Sequence, residues 1–316
     1  MRLAIAFLRL IRWPNLVFIA LTQIIYYYSI LEPISRSGGV SLFDTRHFVL
    51  LILASLFISA AGYIINDYFD LNIDRVNKPA KLVIEKVIKR RSAMALHLLL
   101  SFVGVALSFY VDYKNHFYWL GLSNLLCVFL LFGYSITLKK RLLVGNILIA
   151  ALTSWVLLVI FFCYYGKGFY HQSGEQVTID LAVNRFIRIT FLYAGFSFII
   201  SLIREVIKDM EDMEGDAKYG CKTMPIVWGI KATKVFVAVW IMVLIGALAI
   251  VQFYVLQFNW WLSAVYCLVL IIAPLVWILR KLYEAQSPAA YHQLSSMVKF
   301  IMFMGILSML FFKIYS

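Results

Sequence analysis

The stretch HFVLLILASLFISAAGYIIN (47–66) contains no Asp, Glu, Lys or Arg, and the eight residues after it, DYFDLNID (67–74), contain three Asp. A bilayer core about 30 Å thick is crossed by roughly 20 apolar residues of helix, so the first part reads as a membrane span and the second as its charged end. Eight more apolar runs of similar length are bounded by charge, Pro or Gly. With 47–66 they fall near 13–31, 92–111, 116–134, 143–165, 186–204, 235–256, 260–279 and 297–315. The expected fold is therefore all-α and polytopic, with nine transmembrane helices in a single domain, 1–316. The run at 13–31 is too long for a signal-peptide core and no small-residue cleavage site follows it, so it is read as a retained span.

Composition agrees with that reading. Of the 316 residues, 63% are hydrophobic and 14% charged, and the mean hydropathy is +0.86, whereas soluble domains run near ~45–50% apolar and ~25% charged. A soluble two-domain enzyme is excluded. The formal charge of +13 would suggest nucleic acid in a soluble protein. In a membrane chain it is read by loop, because cytoplasmic loops collect Lys and Arg. With the N-terminus inside, 22 of the 29 bases fall on the cytoplasmic side; only Arg36, Arg46, Lys114, Lys167, Arg185, Arg188 and Lys313 fall outside. No nucleic-acid partner is expected. Cys127, Cys163, Cys221 and Cys267 are far apart and suggest neither a disulfide framework nor a zinc site.

Nine of the 16 acidic residues lie in two short stretches, NDYFDLNID (66–74) and REVIKDMEDMEGD (204–216), both on the expected cytoplasmic side. Asp67, Asp70 and Asp74 are spaced i, i+3, i+7, an arc of about 60° on a helix at 100° per residue. Asp209, Asp212 and Asp216 repeat the spacing, with Glu205 one turn earlier on the same face. The stretches follow the second and sixth spans, as an internal duplication of four spans would place them.

Like charges on one helical face repel, and a divalent cation offsets that repulsion. Oxygen-only ligands with no nearby His or Cys favour Mg²⁺, with Mn²⁺ as its substitute. Mg²⁺ is usually held by one or two carboxylates plus substrate phosphate, so two such clusters facing one another suit a diphosphate. Arg75 and Lys78 beside the first cluster, Arg204 and Lys208 beside the second, and Lys139 after the fourth span supply cationic phosphate contacts. The five histidines, His47, His97, His116, His171 and His292, stand singly and read as structural or interfacial. Lys139, Lys140 and Arg141 also read as a topology signal.

NDYFDLNID and KDMEDMEGD (208–216) resemble the NDxxDxxxD and DxxDxxGD motifs of the UbiA superfamily of intramembrane prenyltransferases. Arg12 and Asn15 in RWPN, Tyr134 and Lys139 in YSITLK, and Gly145-Asn146 follow in the expected order. The resemblance implies a helical bundle around a central cavity, Mg²⁺ on the Asp motifs and an isoprenyl diphosphate donor with a hydrophobic acceptor. It implies that Asn66, Asp67, Asp70 and Asp74 form the first metal and diphosphate site and Asp209, Asp212 and Asp216 the second. Arg75, Lys78, Tyr134, Lys139 and Lys208 would contact phosphate or steady the allylic cation, and Asn15 would line the cavity.

Within the superfamily, REVIKDMEDMEGDAKYGCKTMPI (204–226) looks most like enzymes that add a second geranylgeranyl chain to geranylgeranylglyceryl phosphate. The aromatic prenyltransferases of quinone synthesis, acting on 4-hydroxybenzoate or a naphthoate, are the alternative. One departure borders the site: after Asn77-Lys78-Pro79 the chain runs AKLVIEKVIKRR (80–91) in place of a short Pro-Ser-Gly segment. The bases Lys78, Lys81, Lys86, Lys89, Arg90 and Arg91 there, with Lys139, Lys140 and Arg141, suit an acceptor bearing its own phosphate, and equally a topology signal with anionic lipid. CDP-alcohol phosphotransferases are disfavoured because DGxxAR is absent. Transporters are disfavoured because the acids sit at span ends and not at mid-span helix breaks.

Overall fold

The computed structural model describes residues 2–34, 44–79, 82–171 and 181–315. Its contacts divide the chain into two units: residues 1–24, 34–139 and 155–187 form the first, and residues 25–33, 140–154 and 188–316 the second.

The first unit begins with a short helix, α1 (Arg2–Leu10), and a break before α2 (Trp13–Tyr26). Arg12 at the break has φ 50°, and Pro14 in the first turn of α2 loses no helical hydrogen bond. α3 (Thr45–Phe69) starts at Asp44, whose carboxylate accepts from Arg46 N, and runs 25 residues to the first Asp cluster. A short helix, α4 (Leu71–Asn77), follows. The membrane-length α5 (Arg90–Asn115) and the 17-residue α6 (Leu120–Ile136) complete the layer that packs on α3. Lipid tails give apolar side chains no reason to leave them, so such helices associate through close backbone approach and internal hydrogen bonds. A Cβ on Gly104 would lie 2.7 Å from Ile58 and 3.2 Å from the Ala54 carbonyl, and His97 donates to the Ala61 carbonyl at 3.0 Å. Asp112, buried at the far end of α5, caps α6 by accepting from Leu120 N and Gly121 N.

α7 (Val144–His171) begins in the second unit and continues into the first. The second unit's long helix is α8 (Leu181–Glu211), which carries the second cluster at its end. Beyond it come α9 (Met213–Lys218), α10 (Met224–Val227) and α11 (Gly229–Leu256), then α12 (Trp261–Cys267), α13 (Ala273–Glu284), α14 (Pro288–Ser308) and α15 (Leu310–Ile314). Ile203, Val206, Ile207, Val237, Ile241, Leu275, Ile278, Val298 and Ile301 form its core. Gly305 lets the Phe196 ring come within 2.4 Å of where a Cβ would stand.

Among the described residues, eight helical stretches are long and apolar enough to cross a membrane, and the shorter apolar helix is α6. Each of the nine expected apolar runs is helical over most of its length, the fourth only from Leu120 because His116 turns the chain in the left-handed region (φ 58°). The helices overrun the runs at their polar ends: α8 reaches Glu211, and α14 starts at Pro288, capped by Ser287, nine residues before the expected apolar run.

Candidate active site

In the first unit, α3 delivers Asn66 and Asp67 on its last turn, and the helix bends at Asp70, which is both its C-cap (φ −84°, ψ 0°) and the N-cap of α4. The backbone bonds Asp70 N to Asn66 O (2.9 Å) and Asp74 N to Asp70 O (2.8 Å) persist through the bend. The expected single helical face is therefore a corner, although its i to i−4 bonding survives. Asn66 Nδ2 donates to Asp70 Oδ2 at 2.8 Å, and Lys139, reaching from the turn after α6, pairs with Asp70 Oδ1. Arg12 Nη2 pairs with Asp67 Oδ1 at 2.7 Å while its guanidinium lies 5.1 Å over the Tyr63 ring. Asp67 accordingly holds the Arg12 pKa above its ordinary value. Burial, then the charges of Asp70 and Asp67, push the Asp74 carboxyl up to about 6. Of the three carboxylates the corner carries, Asp67 and Asp70 are paired with cations and Asp74 is poorly compensated.

The other bases expected here are placed differently. Arg75 Nη2 pairs with Glu85 at 2.6 Å and its Nη1 is 3.5 Å from Asn72 Oδ1. Lys78 caps α4, donating its backbone N–H to Asp74 O. Lys86 donates to the Pro79 carbonyl, and Arg90 stacks over Tyr68 at 4.5 Å. Lys81 lies outside the described residues. Asn15 donates its backbone N–H to Arg12 O, and Tyr134 stands in the last turn of α6 before Lys139.

The second unit repeats the corner. α8 ends at Glu211, Asp212 is the N-cap of α9 (φ −97°, ψ 8°), and Asp212 N to Lys208 O (2.9 Å) and Asp216 N to Asp212 O (3.2 Å) carry the bonding through. Asn146, buried in the first turns of α7, donates Nδ2 to Asp209 Oδ2 at 2.9 Å, as Asn66 does to Asp70. Glu205 holds both expected phosphate-binding bases, Arg204 at 2.8 Å and Lys208 at 3.2 Å. Arg204 Nε is buried with no hydrogen-bond acceptor, a donor suited to an incoming anion. Glu211 pairs with His292 at 2.9 Å. Lys222 N donates to Lys140 O, tying down the loop after α9.

The chemistry of the donor set decides whether a cation fits. Among the described residues no three His, Cys, Asp or Glu side chains converge into a protein-only metal cage. The first corner instead offers carboxylate oxygens and Asn66 Oδ1, a buried acceptor with no hydrogen-bond donor. That is a sparse, all-oxygen set of the kind that would hold Mg²⁺ together with substrate phosphate. A cavity of about 480 Å³ lined by Asp44, Arg46, His47, Leu50 and Tyr110 is at the opposite end of α3, about 35 Å along the helix from Asp67, and is not part of this chemistry.

The UbiA prenyltransferase family model matches residues 37–307. This chain belongs to the UbiA prenyltransferase family. It is a prenyltransferase and an integral, multi-pass membrane protein. It is similar to the digeranylgeranylglyceryl phosphate synthases of Methanosphaera stadtmanae (30% identity over 263 residues, 82% of this chain and 86% of the relative) and Methanothermobacter thermautotrophicus (30% over 284, 86% and 90%). Solved structures share the fold. One concerned with digeranylgeranylglyceryl phosphate synthase in membranes matches with TM-score 0.62 at 24% identity over 98% of each chain, and a UbiA homolog from Archaeoglobus fulgidus bound to GPP and Mg²⁺ with TM-score 0.57 at 15% identity over 96% and 99%.

Two contributions escaped the sequence reading. Asn146 matched a family pattern without an assigned role, and nothing in the sequence signals a bond to a residue 63 positions away. Glu85, which had no assigned role, occupies Arg75, and Glu205, placed on the face of the second cluster, occupies both Arg204 and Lys208.

Proposed function

We propose that this prenyltransferase transfers a geranylgeranyl group from geranylgeranyl diphosphate to geranylgeranylglyceryl phosphate, using both Asp motifs and Mg²⁺. The observation that supports the reading best is the repeated Asp corner, each built on a helix end with an Asn amide fixing one carboxylate, in a chain whose full-length relatives carry that synthase name. Asp67, Asp70 and Asp74, with Asp209, Asp212 and Asp216, would hold Mg²⁺, which when bound neutralises charge developing on departing diphosphate. Lys139 and Arg12 stand on the carboxylates of the first corner, where cationic N–H groups also meet phosphate oxygens. Arg75, Lys78 and Lys208 lie one residue or one turn from the Asp residues and Arg204 five residues before Asp209, and Tyr134 and Asn15 complete the substrate contacts. Apolar surroundings hold the prenyl chain and keep water from the allylic cation. The acceptor's own phosphate distinguishes this reading from the aromatic alternative, because a phosphate dianion calls for more cationic partners than the single carboxylate of a hydroxybenzoate or naphthoate, and Lys78 and Lys139 stand beside the first corner.

Asn146 provides a specific test. Loss of an amide that orients a metal-binding carboxylate typically costs 10- to 100-fold in metal affinity or activity. Asn146→Ala should therefore move the Mg²⁺ concentration for half-maximal turnover up by about 10-fold or more. An unchanged Mg²⁺ titration at lower maximal rate would assign Asn146 to packing alone.

The same reading puts the Asp corners on the cytoplasmic side, with the N-terminus inside and nine spans. All four native cysteines are buried, so an introduced one reports alone. A cysteine at Lys218 should resist an impermeant thiol reagent in intact cells, and one at Tyr118, 74% exposed, should react. The reverse pattern inverts the topology.

A further inference from the structure

We infer that α1 and the turn Val83–Ile88 form a membrane-surface plate that seats in the interface of an anionic bilayer, beside the first Asp corner. At nine residues α1 reaches only about 13 Å, too short to cross a bilayer, and the break at Ile11–Arg12 separates it from the span that follows. Arg12's pairing with Asp67 anchors that break at the corner.

Seven of the nine residues are apolar, and they serve two faces. Ala6 and Leu10, with Ile11 just beyond, pack against Val83, Ile84, Ile88, Ile64 and Leu71. The turn is closed by Val87 N to Val83 O (3.0 Å) and Glu85 N to Ile88 O (2.9 Å), with Glu85 at φ 68°. On the opposite side Ala4, Ile5 and Leu8 share an arc of about 100° and are exposed, Ile5 by 47% and Leu8 by 44%; Leu3 and, from the turn, Val87 are exposed as well.

Charge selects the occupant. The exposed bases Arg9 and Lys86 stand on these two segments and Lys89 and Arg91 just after the turn, at the start of α5, and the only acid within residues 2–12 and 82–92 is Glu85, already paired with Arg75. An apolar face flanked by bases seats at the boundary of headgroups and acyl chains, and anionic headgroups add attraction for each base near the surface. A protein partner would have to cover apolar surface contiguous with a membrane-embedded helix. The bilayer covers it without any further component. Such a plate would hold the corner's rim at the depth where amphiphiles with apolar tails and phosphate heads reside.

The test uses the full-length protein carrying an environment-sensitive fluorophore on Leu8→Cys or Val87→Cys, with Lys218→Cys as the reference. Each is reconstituted in phosphatidylcholine vesicles with and without phosphatidylglycerol. Labels at 8 and 87 should be shielded from aqueous iodide and quenched by headgroup-level nitroxide lipid, and that quenching should rise about twofold with anionic lipid. The quadruple variant R9Q/K86Q/K89Q/R91Q should lose the increment while remaining membrane-inserted. Iodide access at 8 and 87 equal to that at 218 in both vesicle types would overturn the plate. Lipid quenching indifferent to phosphatidylglycerol would overturn the headgroup assignment.

Discussion

Asp70→Ala and Asp212→Ala should each abolish turnover, by on the order of 10³-fold or more, in protein that still inserts and folds. Both residues terminate a long helix and start a short one, and in each unit the backbone bonds that carry the chain through the bend come from main-chain atoms. Alanine keeps those bonds. What it removes is the carboxylate: at Asp70, the group that receives Asn66 and Lys139; at Asp212, the middle acid of the second corner. Loss of one preorganised electrostatic partner of a charge-developing transition state typically costs about 10² to 10³, and loss of a proposed Mg²⁺ ligand would add to that. Asp70→Ala also leaves Lys139, whose side chain is only 10% exposed, without its carboxylate. Lys139→Ala paired with Asp70→Ala should consequently lose little more than either alone. Near-normal turnover from either Asp variant would remove its corner from the mechanism, as would loss of the protein from the membrane fraction if activity per inserted molecule were unchanged.

Chelation is expected to have an effect of the same order. With EDTA, turnover should fall to background, and Mg²⁺ or Mn²⁺ should restore it. The reason is local: burial and two neighbouring carboxylates already disfavour charge on Asp74, and the buried Asn66 Oδ1 has no hydrogen donor. A hard cation relieves both conditions, whereas monovalent ions supply too little charge. The same binding should raise the midpoint of thermal unfolding, since a ligand that favours the native state stabilises it by mass action, and Asp74→Asn should diminish that shift. Full turnover in EDTA would remove metal from the account.

The spans were legible because a window of about 20 apolar residues is a physical requirement of the bilayer. α1 escaped the same window for the same reason: seven apolar residues in a nine-residue segment fall below any spanning length, and the alternation of faces matters only once the turn at 83–88 is known to cover one of them. Helix ends were less legible. α14 gains its first turns from Ser287 and Pro288, a capping signal that lies outside the apolar run. The bends at Asp70 and Asp212 occur without Gly or Pro, and the i to i−4 bonds through them leave no sequence mark. In the site, acid spacing and order were readable, and so was the family. Pairings were not: Glu85 reaches Arg75 only because a left-handed residue turns the chain back, and Asn146 reaches Asp209 through tertiary packing of α7 beside α8.

The most direct measurement is an assay of purified protein with radiolabelled geranylgeranyl diphosphate, Mg²⁺ and two acceptors, geranylgeranylglyceryl phosphate and 4-hydroxybenzoate, following both diphosphate release and the labelled product. The account predicts a phosphate-bearing product with two geranylgeranyl chains from the first acceptor, dependent on Mg²⁺, and little or none from the second. Robust prenylation of 4-hydroxybenzoate with none of the glyceryl phosphate would contradict it.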